Sequence, residues 1–250
     1  MSIFKVEQYV CKVCGFNIIG YHPDRCPFCG ATSENFITTE DCSKKYDVVS
    51  YKVNNKVKRL NSVPSLGLEH AAYSIKIDNS IIWIDCPSTF KADLDRMNKI
   101  IFTHHHFLGA SNLYREYYTA FVWIHVKDSE HFIARKHPFD KRFEDNFNID
   151  GIEAFHIDGH TPGFTFYIFE DVLFVCDYLI PRNSNNFIFN PYGPSKNTLD
   201  GAIKLKEIIE NRNLNKVCGY NYVVDFTYWK EKFDLLCSKK AEKPNYKSFN

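Results

Sequence analysis

Two groups of residues in this 250-residue chain have types and spacings that suit metal chemistry. Cys11, Cys14, Cys26 and Cys29 read C-x2-C-x11-C-x2-C, and a glycine follows each pair (Gly15 and Gly30). Two such knuckles supply the four thiolates of a tetrahedral site, and the glycines let backbone N–H groups approach the sulfurs. Iron and zinc both suit that donor set. The second group is rich in histidine. His104, His105 and His106 follow the apolar run Ile100-Ile101-Phe102, and His156 and His160 fall in H-I-D-G-H-T-P-G, just past another strand-like run. Imidazoles offered from loops at strand ends converge on one ion, and three of them with a carboxylate suit zinc or iron. Isolated histidines are more often plain core or surface residues, and His22, His70, His125, His131 and His137 are taken as such. The five scattered cysteines (Cys42, Cys86, Cys176, Cys218 and Cys237) are taken as small buried hydrophobes.

The elements that must carry these groups follow from composition and pattern. Residues 1–40 form a Cys/Gly/Pro-punctuated ribbon with too little apolar content for an ordinary core, so a metal must organise it. Residues 41–62 are charged and Asn-rich, a linker or an edge strand. Residues 63–240 alternate short β-branched or aromatic runs with polar helical stretches, and 241–250 form a polar tail expected to fray. Strands are expected at Ile75–Ile77, Ile81–Ile84, Lys99–Phe102, Phe121–His125, Glu153–Ile157, Phe164–Phe169, Val172–Cys176 and Lys216–Gly219. Helices are expected at Phe107–Tyr118, Ser129–Lys136, Asn197–Asn211 and Thr227–Lys239. The third places Leu199, Ala202, Ile203, Ile208 and Ile209 on one face, and the fourth Trp229, Phe233 and Leu236. Strands alternating with helices after an initial run of strands indicate an α/β sandwich. The 31 Lys and Arg against 30 Asp and Glu leave a net charge of +1, which offers no electrostatic footprint for nucleic acid or an anionic membrane. No apolar run is long enough to span a bilayer, and the first residues lack the apolar stretch of a signal peptide. The expected location is cytoplasmic, where paired cysteines are metal ligands rather than disulfides.

Residues 5–38 resemble the short rubredoxin domain of rubrerythrin-like proteins. The likeness rests on Tyr9 before the first knuckle, C-P-x-C-G at the second and Phe36 beyond it. It implies one iron and one-electron transfer, with a structural zinc ribbon as the competing reading. Residues 60–225 resemble the metallo-β-lactamase superfamily, which implies an α+β fold, an αββα sandwich. Ile81-Ile82-Trp83-Ile84-Asp85-Cys86 matches the early strand that ends in Asp, and Thr103-His104-His105-His106-Phe107 begins the family's T-H-x-H-x-D-H-x-x-G loop. His160 in G-H-T-P-G matches the next ligand, and Asp177 the bridging carboxylate. The resemblance therefore implies that His104, His106, His160 and Asp177 hold a metal.

The departures bear on activity. Where the family continues Asp-His, this chain reads Leu108-Gly109-Ala110-Ser111-Asn112, and Tyr220 stands where the last ligand histidine belongs. The second metal site has thus lost its Asp and both histidines, and one Zn or Fe is expected in the site made by the three histidines and Asp177. Asp177 and Tyr220 are the candidate catalytic residues, with Asp158 a further carboxylate at hand. The leading expectation is a mononuclear metal-dependent hydrolase of an ester, thioester or phosphoester. The alternatives are a non-haem iron redox enzyme, dioxygenase-like or coupled to rubredoxin-type electron transfer, and a non-catalytic binding or electron-relay protein. Expected partners are a small-molecule substrate and, on the redox reading, a partner protein; self-association stays open.

Overall fold

The computed structural model describes residues 4–183 and 186–238, so the expected fraying of residues 241–250 and the last residue of the helix to Lys239 lie outside the described residues. A three-stranded antiparallel sheet opens the chain, with β1 (Gln8–Cys11) between β2 (Asn17–Ile19) and β3 (Phe36–Thr38). Helix α1 (Thr39–Lys45) follows, started by the Thr38 hydroxyl accepting from the Asp41 N–H. The ribbon's core is small: Cys11, Cys14, Phe16, Ile18, Cys26 and Phe36, with Ile133 of the large domain packed against it.

The large domain holds two sheets. The first is seven-stranded and built from β4 (Asp47–Lys52), β5 (Val57–Val63), β6 (Ala72–Ile77), β7 (Ser80–Ile84), β8 (Lys99–Ile101), β9 (Phe121–His125) and β10 (Lys141–Phe143), in the order β10-β9-β8-β7-β6-β5-β4. Its first four strands pair antiparallel and β7 to β10 parallel. Helices α2 (Ser111–Tyr118) and α3 (Val126–Ser129) belong to this half. The second sheet is six-stranded: β11 (Phe147–Ile149), β12 (Ile152–His156), β13 (Thr165–Phe169), β14 (Val172–Cys176), β17 (Lys216–Gly219) and β18 (Val223–Asp225). A hairpin, β15 (Leu179–Asn183) with β16 (Asn186–Phe189), and helix α4 (Ser195–Ile209) lie between β14 and β17, and α5 (Phe226–Ser238) closes the fold.

Three apolar layers make this an αββα sandwich. Ile75, Ile82, Ile84 and Ile101 meet Ile152, Tyr167, Phe169 and Phe174 between the sheets. Trp83, Ile100 and Val122 pack under Leu113 and Tyr114 of α2 on one outer face. On the other, Phe166, Leu173 and Val217 pack under Ala202, Leu205, Trp229 and Phe233 of α4 and α5. Burial of this kind contributes ~25 cal/mol per Å² of apolar surface, and it dominates the stability of the fold.

Some expected elements differ. The segment 129–136 is not a helix: α3 ends at Ser129 and turns follow, with Ile133 drawn to the ribbon core. The helix expected from Phe107 starts at Ser111, because Gly109 takes a left-handed φ of 54° while its Cα rests on the Cys86 and Pro87 carbonyls. On α4 the buried positions are Thr198, Gly201, Ala202, Leu205 and Ile209, whereas Ile203 is exposed. Residues 47–52 form the edge strand β4, and Val57–Val63 is a full strand beside it. Among the described residues, no helix is long and apolar enough to cross a membrane.

Candidate metal centres

The two knuckles of the ribbon fold alike. Gly15 N donates to Cys11 O at 2.8 Å and Gly30 N to Cys26 O at 2.9 Å, and both glycines have positive φ. These turns bring the four sulfurs within 4.8 Å of one another. Cys11 Sγ lies 3.7 Å from Cys29 Sγ, and Cys14 Sγ 3.7 Å from Cys26 Sγ. That is far beyond a disulfide bond and close to the ~3.8 Å edge of a tetrahedron of sulfurs at ~2.3 Å from a central ion. The ribbon cysteines fit one metal.

The histidine group gathers where strands end. Asp85 follows β7, Thr103 to His106 follow β8, His160 lies in the loop after β12, and Asp177 follows β14. Asp85 and Cys176 hold φ of 59° and 44°, a region that side-chain-bearing residues seldom adopt, and the chain turns sharply there. His104 and His106 point to one side and His105 to the other, as alternate residues of extended chain do. His105 Nδ1 lies 3.0 Å from Asp128 Oδ1, and its ring stacks on His131 at 4.0 Å. Asp128 also accepts from Thr161 Oγ1 at 2.9 Å and Gly163 N at 3.0 Å, so one buried carboxylate staples the two histidine loops together.

The ligand atoms of His104, His106, His160 and Asp177 all lie within 4.8 Å of one another. His160 Nε2 is 3.0 Å from His106 Nδ1 and 3.4 Å from Asp177 Oδ2, and His104 Nε2 is 3.5 Å from Asp177 Oδ1. Donors about 2.0–2.1 Å from a tetrahedral ion stand about 3.3 Å apart, and these separations match. His104 Nε2 and Asp177 Oδ1 are buried without a hydrogen-bond partner, which an ion between them would satisfy. The donor set fits a divalent metal.

Protonation favours the same outcome. Burial holds His104 well below the ordinary histidine pKa, and burial with the neighbouring His160 pushes His106 down to about 2. Burial thus disfavours a proton on either ring and favours the form that offers a lone pair. Burial alone would raise Asp177, but His160, His104 and His70 face it and hold it well below the usual carboxylate range. Thr103 fixes the His104 tautomer. Its hydroxyl lies 2.9 Å from Asp85 Oδ2 and 2.9 Å from His104 Nδ1. With its one proton given to the carboxylate, the hydroxyl accepts from Nδ1–H, which leaves Nε2 free for the site.

Other residues stand differently from expectation. His70, set aside as ordinary, is 7% exposed and sits against the group: its Nε2 is 3.6 Å from Asp177 Oδ2, and its Nδ1 is 3.3 Å from Cys176 Sγ. Cys176 is correspondingly more than a buried hydrophobe, since His70, Cys176 and Asp177 form a second cluster of donors. Asn190 donates to Asp177 Oδ2 at 2.8 Å. Tyr220 is not among the four donors; its ring stands 5.5 Å from His70 at the edge of the site. Asp158 accepts from its own neighbour Gly159 N and stays in its turn. Phe107 takes up space beside the group with its ring 3.8 Å from His70. Sequence signalled none of His70, Cys176 or Asn190, because each is a lone residue whose meaning comes from loops meeting in space.

No family model and no curated protein matches the chain. Solved structures do. The crystal structure of VMB-1 at pH 5.5 aligns over 78% of this chain and 99% of its own, with a TM-score of 0.63 and 16% identity. A metallo-β-lactamase from Pontibacter korlensis covers 76% of this chain and 99% of its own, with a TM-score of 0.61 and 15% identity. The archaeal metallo-β-lactamase superfamily protein ST1585 from Sulfolobus tokodaii covers 72% and 85%, with a TM-score of 0.52 and 16% identity. The large domain has the metallo-β-lactamase fold.

Proposed function

We propose that the protein is a metal-dependent hydrolase acting on a small molecule with an ester, thioester or phosphoester bond. The observation that carries this reading is the convergence of four donors, three buried and His106 partly so, with His104 Nε2 and Asp177 Oδ1 left unpartnered. His104, His106, His160 and Asp177 would hold a single divalent zinc or iron ion, which would supply polarisation of a carbonyl or phosphoryl oxygen and a lowered pKa for bound water.

The protein's own groups supply the rest. Asp177 is kept ionised and oriented, because Asn190 and His70 engage Oδ2 while Oδ1 faces the donors. It is the carboxylate that would accept a hydrogen bond from the attacking water and orient it, with His70 beside it. Tyr220, half-buried beside His70, is the hydroxyl at the rim available to a substrate oxygen. Leu108 and Gly109 occupy the sequence positions where a second ion would need Asp and His, so the reading is mononuclear. A panel of ester, thioester and phosphoester substrates tests it. Asp177→Asn should lower turnover by about 10–100-fold or more, the usual cost of losing a group that holds or supports the ion. Turnover unchanged in that variant would end the proposal.

The redox reading has one observation in its favour: the rubredoxin-like ribbon is seated directly on the histidine group, with Phe28 against His106. Iron in both centres, with oxygen consumed during turnover and no hydrolysis of the ester, thioester and phosphoester panel, would support it.

A further inference from the structure

The ribbon touches both loops that deliver the histidine group. At the second knuckle, the Phe28 ring of Cys26-Pro27-Phe28-Cys29 lies 5.5 Å from the His106 ring and 4.8 Å from Phe107. Phe107 in turn lies 3.8 Å from His70, and His70 reaches Asp177. At the first knuckle, Gly67 packs so tightly on Val13 that an added Cβ would come within 1.9 Å of the Val13 carbonyl oxygen. Gly15 sits close to Ser88, Glu69 and the Leu66 carbonyl. Glu69 precedes His70, is buried, and accepts from Ser62 N at 3.0 Å and Ser88 N at 2.5 Å. Polar bonds complete the seat: Asn17 Nδ2 donates to Ser88 O at 3.0 Å, and Asn112 Nδ2 to Gln8 Oε1 at 2.7 Å. Each knuckle therefore braces one loop. The second holds His106 and Phe107, and the first holds residues 66–70.

We infer that the cysteine ribbon sets the geometry of the histidine centre, with Phe28 as the positioning residue through which a filled ribbon tightens the hold on an ion that no cysteine touches. The inference rests on the reading that the histidine group holds a metal. Its physical basis is that the imidazole orientation of a ligand is fixed by what packs and bonds around it, and loss of that outer support typically costs 10–100-fold in metal affinity. A knuckle folds only around its own ion, so its Phe28 is presented correctly only when the ribbon is filled.

The test is an anaerobic titration of the full chain with Co2+, its ribbon already loaded with zinc, followed by the visible d–d absorption of cobalt at the histidine group. Phe28→Ala should weaken cobalt binding about tenfold or more and shift the band, while Phe28→Leu should restore most of the loss. Tyr21→Ala, whose ring lies against Lys136 instead of these loops, should bind as the unaltered protein does. If Phe28→Ala sheds its zinc, Phe28→Leu carries the comparison, and its loss must still exceed that of Tyr21→Ala. Equal affinity and an unchanged band in the Phe28 variants would overturn the inference, as would an equal loss in Tyr21→Ala. No cobalt uptake by the unaltered protein would instead overturn the metal reading, and the inference with it.

Discussion

Thr103 stands between scaffold and site, and it shows how a single hydroxyl decides whether a histidine is a ligand. Bonded to Asp85 on one side and to His104 Nδ1 on the other, it leaves only Nε2 to face the donors. Thr103→Val keeps the shape and removes the bond, so affinity at the histidine group should fall about 10–100-fold while the ribbon keeps its metal; chelator competition measures both. His137 gives a pH test away from either donor set. Burial lowers its pKa from 6.5 to about 4, partly opposed by the backbone of Asn17. The unfolded chain thus binds the extra proton between those values, so the stability from neutral His137 is present above pH 6.5 and lost as pH falls toward 4. His137→Gln should flatten the dependence of urea midpoint on pH between about 6.5 and 5; an unaltered slope would assign it to other groups. At this scale the sequence was readable where residues come as spaced sets. His104, His106 and His160 announce themselves beside apolar runs, whereas His70 is one histidine in a loop and joins Asp177 only through tertiary folding.

Elements place the donors because strands end where ligands are needed. β7, β8, β12 and β14 each stop just before a residue of the site or its support, and the interlocked sheets fix those ends relative to one another. The outer helices stabilise this frame. Trp229 is fully buried between Phe226 and Phe233 on α5, and Trp229→Ala should cost about 3–5 kcal/mol of unfolding free energy, measured by denaturant titration. β12 and β14 pass under this helix layer, so the variant should also loosen the loops that carry His160 and Asp177. Pattern reading found most central strands because their β-branched runs are short and bounded. It missed β5, whose sequence VKRLNSV mixes charge with apolar residues, since its buried side chains do not keep to one face: Val57 packs in the layer between the sheets and Leu60 in the outer layer. It also misphased α4, where Leu205 rather than Ile203 faces the core, because a helix whose apolar residues spread around it has no sharp face for sequence to reveal. The stretch 129–136 has helical composition, but Ile133 finds its apolar partners in the ribbon, a contact local pattern does not report.

Across the whole molecule, two groups of donors face each other through one aromatic contact, Phe28 on His106. The fold followed from the resemblance and the gathering of both donor groups from their motifs, while the seating of the ribbon on the histidine loops was not legible, because it depends on close approaches such as Gly67 on Val13. The central claim is that His104, His106, His160 and Asp177 hold one ion beside the ion of the ribbon. Metal analysis of the anaerobically purified protein, paired with His160→Ala, tests it most directly. The account predicts about two ions per chain, falling to one in His160→Ala with the ribbon's ion retained, because the two donor sets share no residue. Three tightly held ions per chain, or two ions retained in His160→Ala, would contradict it.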